Sequence, residues 1–163
     1  MIDLRVRHLV NVDTAVRNGK TTPAFEFIYS HPCVLVGFFF DSRVSNGETK
    51  NVDLDRVWAL IDTGADGVYV DQSLIEKYSC PIAQGGEAMT VNNEAGSKAH
   101  RGSIFIIETG RALDMWVIGR DLRGLGYPYH IILGRRFLQF CDLRWDGPNQ
   151  MVHFAVGENP SAY

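Results

Sequence analysis

The stretch Val57-Trp58-Ala59-Leu60-Ile61-Asp62-Thr63-Gly64-Ala65-Asp66 decides how this chain is read. A run of apolar residues leads without a break into an acid, a hydroxyl side chain and a glycine. The run predicts a buried strand, part of a longer one over Val52 to Ile61 that delivers Asp62 at its end. Thr63 supplies a hydroxyl that can brace the turn, and Gly64 allows close approach of the backbone to a substrate. A lone exposed carboxylate is a poor base at neutral pH. Two carboxylates held together share one proton, so that one acts as base on water and the other as acid. Asp62 is therefore the candidate catalytic group, provided a second carboxylate meets it.

Working outward, the rest of the chain reads mostly as strands. Leu4 to Val12, Phe25 to Tyr29, Cys33 to Phe40, Met89 to Val91, Ile104 to Ile107 and Leu113 to Ile118 are apolar, alternating or rich in β-branched residues. Asn46-Gly47 marks a hairpin turn. After Val68-Tyr69-Val70, Asp71 can cap a short helix over Gln72 to Tyr78, which Cys80-Pro81 ends. Ile131-Ile132-Leu133 is a short apolar strand that Gly134 terminates, and Arg135 to Phe140 reads as one or two helical turns. Leu143 to Trp145 and Met151 to Val156 form a hairpin around Asp146-Gly147-Pro148-Asn149. The predicted fold class is mostly β with one or two short helices.

Composition limits the alternatives. The 163 residues suit one domain, and 45% hydrophobic with 21% charged residues gives enough apolar material for a core without metal or disulfide support. The net charge of −3 and the scattered arginines offer nothing for nucleic acid. Cys33, Cys80 and Cys141 are an odd number at wide spacings and read as free thiols. His8, His31, His100, His130 and His153 lack metal-ligand spacing, so no metal or other cofactor is expected. The charged, alternating N-terminus is unlike a signal peptide, and the longest apolar run, Val34 to Phe40, is too short to span a bilayer. A cytoplasmic protein without membrane attachment is expected.

The strand ending in Asp62-Thr63-Gly64-Ala65-Asp66, followed downstream by Ile131-Ile132-Leu133-Gly134-Arg135, resembles the retropepsins, the retrovirus-type aspartic proteases and their bacterial and eukaryotic relatives. The resemblance covers roughly 34–156. It implies a closed, barrel-like acid protease domain over 31–156, preceded by an N-terminal extension (1–30) of unassigned role and followed by a tail (157–163). It implies that Asp62 is catalytic and that Thr63, Gly64 and Ala65 form the active-site loop, Thr63 joining a grip across a dimer. Ile132, Leu133 and Gly134 constitute the second motif. Arg135 matches a family arginine that pairs with the acid at the place of Asp66 in a structural salt bridge; on its own it also reads as a solvated arginine at a helix start. The polar tip Asn92, Asn93, Glu94, Ala95, Gly96 and Ser97 is the candidate flap, although the same residues also read as an ordinary exposed hairpin.

Only one Asp-Thr-Gly is present. Asp13-Thr14-Ala15 lacks the glycine, and Glu108-Thr109-Gly110 has another acid and no matching flanks. The two-lobed pepsin-type enzymes carry two copies, so one copy implies a homodimer with an Asp62 from each subunit at a two-fold axis. Met151 to Val156 is the expected contributor to a shared interface sheet, with the N-terminal segment as the other candidate. The activity so implied is an aspartic endopeptidase acting on polypeptides. The alternative is a retropepsin-fold dimer with little turnover that binds peptides or regulates.

Overall fold

The computed structural model describes residues 1–9, 30–42, 53–87 and 98–157. Its elements are β1 (Ile2–Leu4), β2 (Arg7–Leu9), β3 (His31–Phe39), β4 (Asp55–Ile61), β5 (Val68–Asp71), α1 (Gln72–Lys77), β6 (Ile82–Glu87), β7 (Lys98–Ile106), β8 (Arg111–Arg120), β9 (Ile131–Leu133), α2 (Arg135–Leu138), β10 (Cys141–Asp146) and β11 (Met151–Val156). The mostly-β class with two short helices, expected from the apolar patterning, is what forms.

The large sheet closes on itself. Its order β2-β3-β4-β9-β5-β8-β7-β6 carries an additional pairing of β3 with β7, so β3, β4, β9, β5, β8 and β7 make a closed six-stranded barrel. Closure runs through Gly37↔Phe105, Phe38↔Ile104 and Phe39↔Ser103. Glycine at 37 permits this approach, since a Cβ there would sit 2.9 Å from the Phe105 Cβ. Alternation then sorts the side chains between the two sides of each strand. Val57, Ala59 and Ile61 of β4 are buried in the barrel core with Val34, Val68, Val70, Val117, Ile131 and Leu133. Phe38, Ile104, Leu113, Ile131 and Leu133 are each under 2% exposed, which is worth about 1.5–3 kcal/mol apiece relative to exposure.

Several expected elements take other bounds. The segment expected as one strand over Leu4 to Val12 divides into β1 and β2 on either side of Arg5-Val6 and serves two different sheets. β1 pairs with β11 and β2 with β3, which ties residues 2–4 and 7–9 into the two sheets. β6, with Gly85-Gly86 in it, was not expected as a strand; it survives at the sheet edge by pairing with β7 at Ile82↔His100 and Glu87↔Lys98. Phe25 to Tyr29, Asn46-Gly47 and Met89 to Val91 lie outside the described residues.

The small sheet, ordered β1-β11-β10, changes the expectation for Met151 to Val156. Phe154, Ala155 and Val156 pair with β1 on one side and with Leu143, Asp142 and Cys141 of β10 on the other. That half of β11 is enclosed within the chain's own sheet, and the outer strands are β1 and β10. Among the described residues, no helix is long and apolar enough to cross a membrane.

Candidate active site

The Asp62 loop is built by a strand that arrives from far along the chain. β4 and β5 flank residues 62–67, yet they do not pair with each other. β9 lies between them, parallel to β4 (Leu60↔Ile132, Ile61↔Leu133) and antiparallel to β5 (Val68↔Leu133, Tyr69↔Ile132). The Asp62 amide continues this ladder by donating to the Leu133 carbonyl at 3.1 Å.

Beyond β9 the two motifs lock together through backbone. Gly134 N–H donates to the Gly67 carbonyl at 3.0 Å, Arg135 N–H to Ala65 at 2.8 Å and Arg136 N–H to Asp66 at 3.0 Å. The first amides of α2, which no helical carbonyl satisfies, are thus spent on the Asp62 loop. Contact this close requires glycine at 134. A Cβ there would overlap the Gly67 carbonyl oxygen and lie 2.7 Å from that of Ala65.

Within the loop, Asp62 is half-buried, and Thr63 and Gly64 are exposed. The Asp62 Oδ1 accepts from the amides of Gly64 (2.8 Å) and Ala65 (3.2 Å), which fixes the carboxylate over its own turn. Asp66 is held separately. Its Oδ1 accepts the Tyr69 hydroxyl at 2.6 Å and the Gly67 amide at 2.8 Å. The Tyr69 hydrogen bond is the main reason that the Asp66 carboxyl stays below its usual range, with the Gly67 amide and the Arg135 charge acting in the same direction. Burial, and then the hydrogen bond to Asp66, push the Tyr69 phenol up to about 12.

The Arg135 guanidinium is exposed and donates through Nη1 to the carbonyls of Thr63 (3.2 Å) and Gly64 (3.1 Å), while its charge also helps to lower the Asp66 carboxyl. Asp66 already has partners in Tyr69 and Gly67, so Arg135 steadies the loop through its peptide groups. The structure therefore brings Asp62, Thr63, Gly64, Ala65, Asp66, Leu133, Gly134 and Arg135 into one assembly, with Ile132 on the strand that enters it. The candidate flap, Asn92 to Ser97, lies outside the described residues.

Tyr69 was not singled out in the sequence, although its place between Val68 and Val70 assigns it to the face opposite the core. The same face carries a second cluster. Cys33, Leu122 and Tyr129 are buried there, with Leu9, Trp58, Leu60, Tyr127 and Ile132 partly buried around them. The segment 121–130 folds over this face because Asp71 ties it down. The Asp71 carboxylate accepts the Arg123 amide at 2.8 Å, and its own amide donates to the His130 carbonyl at 2.7 Å.

A scan against protein-family models finds no match, and neither does a search of curated proteins. Among solved structures, the chain is similar to a retropepsin-like aspartic protease from Rickettsia conorii, with a TM-score of 0.43 and 15% identity over 93% of this chain and 92% of that one. It is also similar to the retroviral protease-like domain of Ddi1 from Leishmania major, with a TM-score of 0.40 and 14% identity over 78% of this chain and 96% of that one.

Proposed function

We propose that this chain is an aspartic endopeptidase of the retropepsin type, which hydrolyses polypeptides in a cleft formed between two copies of itself. The observation that carries the reading is the threading of β9 between β4 and β5, which locks Gly134 and Arg135 onto the Asp62-Thr63-Gly64 loop. A carboxylate on an ordinary exposed turn would not call for so rigid a support. An acid that must hold a water molecule against a peptide carbonyl does.

One copy supplies only half of the chemistry. The nearby Asp66 is ill-suited as the second member of a proton-sharing pair. Its carboxylate is engaged by Tyr69 and Gly67 and is kept ionised. In our reading the second carboxylate is Asp62 of a second copy, facing the first across a two-fold axis. The ionised Asp62 takes a proton from water as that water attacks the scissile carbonyl. The protonated Asp62 passes its proton to the developing oxyanion; as the intermediate collapses, the carboxyl that took the water proton gives it to the leaving amine, and the other takes back a hydroxyl proton as the new carboxyl group forms. No metal is needed for this sequence of transfers.

Cleavage of a peptide library by wild-type chain and by Asp62→Asn tests the assignment, with a pepstatin-type inhibitor alongside. The reading requires inhibited cleavage in the first protein and a loss of at least a thousandfold in the second, since removal of a member of a catalytic unit has effects of this order. Equal cleavage by both proteins would sink it.

A further inference from the structure

Trp116 points outward from the barrel. Its chain neighbours on β8, Met115 and Val117, are buried, and the two-residue alternation of the strand leaves the indole 44% exposed. One exposed apolar side chain is ordinary, but this one is set between two arginines. Arg101 is its direct partner across the β7–β8 ladder, a position that brings the two Cβ atoms to about 5 Å. Arg136 approaches from the β5 side of β8, since its amide is bound to the Asp66 carbonyl just before β5. Its guanidinium lies over the indole, with the central carbon 5.4 Å from the ring centre.

Both charges are exposed and not neutralised. Among the described residues, neither the Arg101 nor the Arg136 guanidinium has an acidic partner. Two acids beside the row are engaged elsewhere. Asp114, two residues along the same face of β8, accepts the Ser103 hydroxyl at 2.6 Å, and Asp66 accepts from Tyr69 and Gly67. The chain carries a net charge of −3, so this positive row comes from placement and not from composition. A guanidinium already resting on an indole loses little freedom on pairing with a carboxylate. Tryptophan and arginine are also the residue types most enriched where protein interfaces concentrate their binding energy.

We propose that Arg101, Trp116 and Arg136 form a docking surface for a short acidic segment of a partner polypeptide. The two guanidinia take carboxylates on either side, and the indole takes an apolar side chain between them. Arginine pairs with a carboxylate through a two-point fork, and Trp116 adds an apolar contact that a purely ionic patch lacks. Nucleic acid fits less well, because binding to a phosphate backbone draws on many phosphate contacts and this row offers two charges. The surface does not use Asp62, so it stands or falls apart from the protease reading.

Anisotropy titration of the full chain tests it with two fluorescein-labelled peptides that differ only in Glu against Gln, each with a leucine between the variable residues. The Glu peptide should bind at least about tenfold more tightly, and raising the salt from about 50 to about 500 mM should weaken it several-fold. Trp116→Ala and Arg101→Gln should each weaken the Glu peptide at least about fivefold, whereas Asp62→Asn should leave it unchanged. Equal binding of both peptides overturns the proposal, and so does an affinity untouched by Arg101→Gln. A loss of binding in Asp62→Asn places the peptide in the proposed cleft and overturns it too, as does tighter binding of a single-stranded oligothymidylate than of the Glu peptide. Should Trp116→Ala not fold, Arg136→Gln decides in its stead, because the backbone bonds of residue 136 stay in place. Docking lost in Arg101→Gln, beside a wild type that cleaves nothing, keeps the surface and removes the protease. Cleavage abolished by Asp62→Asn, with no preference for the Glu peptide, does the reverse.

Discussion

Asp62 is placed by backbone more than by side chains. Its carboxylate accepts two amides of its own turn, and the turn is gripped by the amides of Gly134, Arg135 and Arg136. Gly134 is therefore the residue on which the loop depends most narrowly. Gly134→Ala should cost about 2–3 kcal/mol through overlap with the Gly67 and Ala65 carbonyls, measured as a lower urea midpoint at unchanged slope. A loss under about 0.5 kcal/mol would show that the loop retreats freely and is not held as described. Gly134 was legible as the glycine that ends an apolar strand, although the backbone contacts that demand it are visible only in the fold. The partner of Arg135 was not. A side chain that bonds to peptide carbonyls leaves no mark on the identity of the residues carrying them. The Asp66 acid, which seemed the natural partner for it, was already engaged by Tyr69.

At the scale of elements, the chain depends on short pieces pinned by single residues. Asp71 ends β5, caps α1 by accepting from the Ser73 amide at 3.1 Å, and holds the segment 121–130 through the Arg123 amide. Burial acts to raise its carboxyl pKa, but the hydrogen bonds from Ser73 and Arg123 outweigh it and leave the group below its usual range. A carboxyl lowered by folding stabilises the native state above the unfolded-state pKa of about 4, and that contribution fades as pH falls through the folded value. Asp71→Ala should thus cost about 1–2 kcal/mol at pH 7, and the gap to wild type should narrow as chemical denaturation is repeated at progressively lower pH below 4. A gap that stays constant with pH would contradict the assignment of these bonds to the ionised carboxylate. The cap was readable from Asp71 preceding a helical stretch, whereas its second task was not, because residue 123 is brought to it only by tertiary folding. β6 escaped notice for a related reason. Gly85-Gly86 weakens the local strand signal, and pairing with β7 supplies what the sequence of β6 lacks.

Among the described residues, the large sheet closes into a barrel whose strands have two uses, with the core on one face and Asp62, Tyr69 and the stacked rings of Tyr127 and Tyr129 on the other. The apolar alternation announced the strands but not the closure, which depends on β3 reaching β7 across Gly37. Nor did it foretell that β1 would cover the end of β11, so that β1 and β10 form the outer strands of the small sheet. In the proposed reading, Asp62 is half of a site that a second copy completes. Subunit mixing tests it most directly. Inactive Asp62→Asn chain is added to a fixed amount of wild type under conditions of subunit exchange, and total cleavage is followed. If each site takes one Asp62 from either chain, an equal amount of added variant captures wild-type subunits in dead mixed dimers and lowers the rate to about half. A rate unchanged by any excess of the exchanging variant would mean that each chain carries a complete site, and the account would be wrong.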